Sequence, residues 1–128
     1  MSEDRQAQGR MNRLLGQWGE ALVAQDLRKK GWTIQAAGYR CRLGEIDLVA
    51  TNKKFLAFVE VKLRKNDSFA TAAEAVTHKK QERLRAAAET YLMQYPTELQ
   101  PRFDVAEVYA PQGTDTPNPT IHYIENAF

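Results

Sequence analysis

The segment FLAFVEVKL, residues 55–63, constrains the fold more than any other part of the chain. Side chains alternate along a β-strand, and both faces of this one begin with apolar residues. A strand that is apolar on both faces is typical of the covered interior of a sheet. Glu60 and Lys62 fall on the same face and therefore emerge toward one end of a mostly buried surface. Their triplet alone proves little, since about one acid-x-Lys is expected by chance in a chain of this composition.

The neighbouring segments predict two helices and four further strands. One apolar stripe at helical spacing begins near Asn12, a plausible N-cap, and ends at Gly31. A second apolar stripe at helical spacing is ended by Pro96. The second helix has two candidate starts, Thr71 with Glu74 three residues on, or Thr77. The predicted elements are a helix from Asn12 to Gly31, strands at Trp32–Ala37, Glu45–Ala50 and 55–63, the second helix, and strands at Phe103–Ala110 and Ile121–Ile124. This order predicts an α/β layered fold.

Length and composition limit the class of protein. The 128 residues suit one domain, residues 1–128, in which we expect 1–11 to be flexible and 111–119 to form a mobile loop. No apolar stretch approaches the ~20 residues of a membrane span, and the N-terminus lacks the apolar block of a secretion signal. We therefore expect a soluble, cytoplasmic protein. Cys41 is the only cysteine and is interpreted as a small packing residue, with a reactive thiol between two arginines as the alternative.

The charge of the chain is unevenly distributed. Residues 40–85 carry eleven Lys/Arg against six Asp/Glu, whereas residues 86–128 carry one against six. A localised basic face favours binding to a polyanion such as nucleic acid, although solvated surface lysines are an equally common explanation.

Two carboxylates are expected to meet across a hairpin. Strands Glu45–Ala50 and 55–63 are joined by a short polar link, so Asp47 can lie near Glu60, with Glu45, Asp47 and Val49 on one face. Carboxylates about 4 Å apart repel by about 4 kcal/mol at an effective dielectric constant near 20. Lys62 offsets part of this repulsion, and a bound Mg²⁺ or Mn²⁺ would offset the rest.

Each helix adds one charged residue to an apolar stripe. Glu20 lies on the stripe of the first helix and Lys80 on that of the second. Buried charges are costly unless they are paired or metal-bound, which favours convergence into one polar site. The alternative is structural: an interior ion pair of Glu20 with Lys80, Asp47 as a turn or hydrogen-bonding residue, and Glu60 with Lys62 on an edge strand. His78 and His122 are isolated and are interpreted as surface or hydrogen-bonding residues.

Several motifs resemble one bacterial family along nearly the whole chain. They are GQWGEALVAQDLRKKGW, GEIDLVA, FVEVKLR, EAVTHKKQERLRAAAETYL, RFDVAEV and the closing NAF. Together they are similar to the UPF0102 or YraN-like family, which is related to archaeal Holliday-junction resolvases within the PD-(D/E)xK nuclease superfamily. The chain departs from the superfamily motif at Ile46, which occupies the place of its nominal proline.

The resemblance implies a restriction-endonuclease-like αβββαβ core with a mixed central sheet flanked by helices. By position, Asp47 and Glu60 resemble the metal-binding acids, Lys62 the catalytic lysine and Glu20 the helix-borne acid, while Lys80 corresponds to a basic helix position. We expect Asp47, Glu60 and the main-chain carbonyl of Val61 to bind Mg²⁺ or Mn²⁺, with Glu20 reaching it through water or completing a second site.

The expected function is metal-dependent endonuclease cleavage of DNA, including branched or Holliday-junction DNA, by a chain that forms a homodimer and does not bind membranes. The alternative is a catalytically inactive nuclease fold that binds nucleic acid or a protein partner. Candidate phosphate contacts are Arg40, Arg42, Lys53, Lys54, Arg64, Lys65, Lys79 and Arg83.

Overall fold

A computed structural model describes residues 2–66 and 76–128, which form two helices packed on opposite faces of a five-stranded sheet. The strand order is β1-β2-β3-β4-β5, with β3 and β4 parallel and the other neighbours antiparallel. The elements are α1 (Ser2–Lys29), β1 (Thr33–Cys41), β2 (Gly44–Thr51), β3 (Phe55–Arg64), α2 (His78–Gln94), β4 (Gln100–Tyr109), a 3₁₀ turn (Gly113–Asp115) and β5 (Thr120–Ile124). This mixed sheet confirms the predicted α/β class and is consistent with an αβββαβ core.

The central strand β3 is covered on both faces, as its sequence predicts. Leu56 and Phe58 pack in the cluster beneath α2, whereas Ala57 and Val59 pack in the cluster beneath α1. All four side chains are almost completely buried. The interpretation of Glu60 and Lys62 as charges on an edge strand is therefore wrong.

Two predicted boundaries differ from the structure by four residues or more. Helix α1 begins at Ser2, not Asn12, because residues 2–11 are mainly helix-forming residues that lack only the apolar stripe used to place the start. Strand β1 continues past Ala37 to Cys41, since the basic stretch after Gly38 pairs with β2 in a tight hairpin. The expected mobility of residues 1–11 and 111–119 stays a prediction.

Helix α2 begins after Thr77, whose side-chain oxygen accepts a hydrogen bond from the Lys80 amide at 3.2 Å. This is an N-cap, and it places Lys80 in the first turn of the helix. The competing start at Thr71 with Glu74 lies outside the described residues. No helix within residues 2–66 and 76–128 is long and apolar enough to cross a membrane.

Candidate functional site

The site is centred on the point where β2 and β3 stop pairing. Their last paired residues are Leu48 and Val59, and beyond them the Val61 amide donates a hydrogen bond to Asp47 Oδ2 at 2.8 Å. The Asp47 side chain thus takes the place of the backbone acceptor that a continued β2–β3 ladder would offer to the Val61 amide. Because the N–H and C=O of a strand residue point to the same neighbour, the Val61 carbonyl also faces this gap.

The alternation predicted for β2 fails at the same point. Ile46 packs with Val49 in the α2 cluster, while Leu48 packs in the α1 cluster. The strict alternation that placed Val49 on the face of Glu45 and Asp47, opposite Ile46 and Leu48, is therefore wrong. Gly38 lies between the β1 residues that pair with Ile46 and Leu48, and its φ of 70° belongs to the left-handed region. The irregularity of β1 opposite Asp47 explains why a strict two-residue period does not hold there.

Glu60 lies on the α2 side of this gap between two lysines. The residue is 6 % exposed, and its Oε1 is 3.7 Å from Lys62 Nζ and 3.9 Å from Lys80 Nζ. Burial, followed by the charge of Asp47, raises the pKa of Glu60 from 4.5 to about 7, although both lysines lower it. Lys80 therefore pairs with Glu60, and the proposed interior pair of Lys80 with Glu20 is not the contact observed.

Asp47 connects Glu60 with Glu20. Burial, followed by the charges of Asp47 and Glu45, raises the pKa of Glu20 from 4.5 to about 7. Burial also raises the pKa of Asp47, against the lowering effects of the Val61 amide, Lys80 and Lys62. Asp47 is thus the residue that acts electrostatically on both Glu20 and Glu60.

The donor set fits a hard cation through its chemistry. Oxygen donors from carboxylates and a strand carbonyl are the ligands that Mg²⁺ and Mn²⁺ prefer. The raised pKa values of Glu20 and Glu60 indicate that nearby cations do not fully balance the acids. Among residues 2–66 and 76–128, however, no three acidic, histidine or cysteine side chains are already grouped as metal ligands. The acids Asp47 and Glu60 would be the primary holders of the ion.

A cleft of about 750 Å³ opens beside these acids, between α1 and the β1–β2 hairpin. Its lining includes Glu20 and Asp47 together with three residues to which the sequence assigned no role, Arg13, Arg28 and Glu45. Arg13 precedes Glu20 by seven positions, so the helical period could have placed it on the same face.

The predicted phosphate contacts do not form one group. Arg40, Arg42 and Arg83 line a second, shallower cavity of about 490 Å³ at the β1–β2 turn. Lys65 and Lys79 are exposed just after β3 and in the first turn of α2. Lys53 and Lys54 lie at the opposite end of the β2–β3 hairpin, about 20 Å along β3 from Glu60 at ~3.3 Å per residue.

Arg64 has a structural partner that sequence reasoning missed. Its Nε donates to Glu107 Oε2 at 2.9 Å, and the Glu107 carboxylate is completely buried. His122 Nδ1 lies 3.4 Å from the other Glu107 oxygen, and His78 pairs with Glu82 on the surface. A single sequence offers little signal for such cross-strand partners, because the register of β4 cannot be read from it.

Comparisons with known proteins give a consistent result. Residues 19–108 match the sequence model of the uncharacterised protein family UPF0102. A UPF0102 protein of Alkaliphilus metalliredigens is 42 % identical over 92 % of this chain and 100 % of its own length. A UPF0102 protein of Syntrophomonas wolfei is also 42 % identical over 92 % of this chain, and one of Clostridium botulinum is 35 % identical over 91 %.

Proposed function

This chain belongs to the uncharacterised family UPF0102, and we propose that it is a metal-dependent nuclease that hydrolyses phosphodiester bonds in nucleic acid, with DNA as the expected substrate. The observation that carries the proposal is the arrangement around Asp47, where two strands part and a carboxylate pair meets two lysines. A structural role alone would not require this number of charged groups in a largely buried position.

The residues have distinct roles in this proposal. Asp47, Glu60 and the Val61 carbonyl would hold a divalent cation, and Glu20 would reach it through water. Asp47 is oriented by the Val61 amide, which fixes its carboxylate toward β3. Lys62 carries its ammonium group at the end of β3 and is 33 % exposed, so it can meet both the attacking water and a substrate phosphate. Lys80 favours the charged form of Glu60, because it opposes the increase in pKa that burial and Asp47 cause.

The cation, when bound, supplies a Lewis acid that polarises the phosphodiester and makes hydroxide accessible near neutral pH. Lys62 shields the negative charge that develops on the phosphate oxygens and positions the water for attack. The exposed arginines Arg40, Arg42 and Arg83 hold neighbouring phosphates without reading the bases.

The test is cleavage of labelled single-stranded, duplex, flap and four-way-junction DNA with Mg²⁺ or Mn²⁺. Asp47→Ala and Lys62→Ala are each expected to lower the rate at least about a hundredfold, the size typical of removing one transition-state contact. Lys29→Ala and Asp115→Asn are matched controls, because both residues are exposed and lie outside the site. Their rates are expected to equal that of the wild type.

The outcomes separate two classes of function. Metal-dependent cutting that both site variants abolish supports the nuclease. Salt-sensitive binding with no cutting in either metal would replace it with a nuclease-like fold that only binds nucleic acid. Cutting that survives in both site variants would refute the assigned residues.

A further inference from the structure

The cleft beside Glu20 runs along one face of α1. Its α1 lining is Arg13, Gly16, Gln17, Glu20, Ala21, Ala24 and Arg28. Each of these positions is three or four residues from another, so together they form a single helical face. From Arg13 to Arg28 the helix rises by about 22 Å at 1.5 Å per residue. The cleft is therefore a groove with Glu20 near its middle.

The groove is kept open by residues without side chains. Gly16 and Gly38 both line it, and a Cβ built on either glycine would meet no atom within 4 Å. Nothing in the packing of α1 requires glycine at position 16, in contrast to Gly19, whose Cβ would lie 3.2 Å from Leu63. The space at Gly16 is available to a ligand.

Charge and size both limit what the groove can hold. Arg13, Arg28 and Arg40 are exposed along it, and Arg40 Nε lies 3.2 Å from Glu45 Oε2. The carboxylates of Glu20 and Asp47 also line the groove. A groove with cations along its length suits a chain of phosphates. Its volume of about 750 Å³ is in the range of pockets for drug-sized ligands, about 300–1,000 Å³, which leaves room for a few nucleotides of one strand and not for a turn of duplex.

We propose that this groove binds a single-stranded segment of nucleic acid, whose sugar-phosphate backbone follows α1 from Arg13 past Glu20 to Arg28. Its use in cleavage rests on the proposed nuclease function, whereas binding does not. The substrate class is then a nucleic acid with an unpaired segment, either a free strand or the single-stranded arm of a branched structure.

The sharpest test fills the groove without disturbing the fold. Gly16→Leu places a side chain in the open space and improves helix propensity by about 1 kcal/mol. Gly9→Leu is the matched control, since it makes the same change in the same helix, where the nearest atom to the new Cβ is Arg13 Nη1 at 3.9 Å. Urea unfolding of both variants verifies that each is folded.

Binding is measured by fluorescence anisotropy with a labelled single strand, as DNA and as RNA, and with a blunt duplex of the same sequence. Every protein carries Asp47→Asn to prevent cleavage and remove one negative charge, and the buffer contains EDTA and little salt. The single strand is expected to bind more tightly than the duplex, and Gly16→Leu to weaken it at least about tenfold, a loss of 1.4 kcal/mol. Arg13→Gln is expected to reduce the slope of log affinity against log salt by about 0.7.

Two results would refute the proposal that the groove binds a single strand. One is equal affinity of the Gly16→Leu and Gly9→Leu proteins for the single strand, and the other is tighter binding of the duplex. If Gly16→Leu without the Asp47 change cuts as fast as wild type, the nuclease stands and the use of the groove in cleavage is rejected. If Gly16→Leu abolishes strand binding while wild type cuts nothing, the groove stands and the nuclease is rejected.

Discussion

Asp47→Asn is expected to make the metal-free protein more stable at pH 8 while it removes the proposed cleavage. The substitution keeps an oxygen that can accept the Val61 amide hydrogen bond but removes a charge beside Glu20 and Glu60. The pKa of Asp47 is raised overall, so burial and the charge of Glu45 outweigh the combined effect of the Val61 amide and the two lysines. The folded protein therefore favours the neutral form of this side chain more than the unfolded chain does.

The size of the expected stabilisation follows from the pKa shift of Glu60. Raising its pKa from 4.5 to about 7 corresponds to about 3 kcal/mol lost when the buried carboxyl ionises. Burial is the larger cause and Asp47 the second, so the share of Asp47 is on the order of 1 kcal/mol. Glu20 adds in the same direction, but it is half-buried and solvent screens its contribution. We expect the free energy of unfolding to rise by about 1 kcal/mol at pH 8.

The pH dependence has a definite sign. A carboxyl whose pKa is raised by folding binds more protons in the folded state, so its contribution is complete below pH 4.5 and is lost as the pH rises through about 7. Removing the charge of Asp47 lowers the pKa of Glu60 and makes this loss smaller. The gain from Asp47→Asn is therefore expected at pH 8 and to be small at pH 5.

The assay is urea unfolding in EDTA, followed by circular dichroism, at pH 5 and pH 8. Asp47→Ala is the matched comparison, because it removes the charge and also leaves the Val61 amide without its acceptor. It is expected to be about 1–3 kcal/mol less stable than Asp47→Asn. The reasoning is refuted if Asp47→Asn is less stable than wild type at pH 8, or if its gain is the same at both pH values.

Two further predictions concern packing and a buried charge, each measured by urea unfolding. Gly19→Val is expected to destabilise the protein by about 1–3 kcal/mol, because a Cβ at this position would lie 3.2 Å from Leu63. Gly16→Ala is expected to stabilise it by about 1 kcal/mol. Equal effects of the two substitutions would contradict the packing argument. Arg64→Ala is expected to lower the free energy of unfolding by about 2 kcal/mol, because it leaves the fully buried Glu107 carboxylate without its closest cation. Adding Glu107→Leu in the same chain is expected to recover part of that loss. No recovery would count against the pairing of Arg64 with Glu107.

The sequence was informative where burial determines the pattern. The central position of β3 follows from its two apolar faces, and the approach of Asp47 to Glu60 follows from the short link between β2 and β3. Lys80 was found because it continues the buried stripe of α2. These inferences depend only on local periodicity and on one short connection.

The remaining features depend on geometry that periodicity does not encode. The position of Ile46 in the α2 cluster reflects the irregular backbone at Gly38, which a strict two-residue alternation does not predict. The separation of Lys54 from the site follows from the direction of the hairpin, which a count of charges ignores. Arg13 and Arg28 were missed because they lie on the exposed part of α1, where a search for buried stripes finds nothing.

The hydrogen bond from the Val61 amide to Asp47 also limits how this fold can change during evolution. By occupying that amide, the carboxylate prevents β2 from continuing its ladder along β3 toward Glu60. An apolar residue at position 47 leaves that amide without its acceptor unless the two strands join further and close the opening between them. A lineage that lost this acid would therefore recover the hydrogen bond only by gaining regular sheet, and restoring the opening would then require parting a paired backbone as well as replacing one side chain.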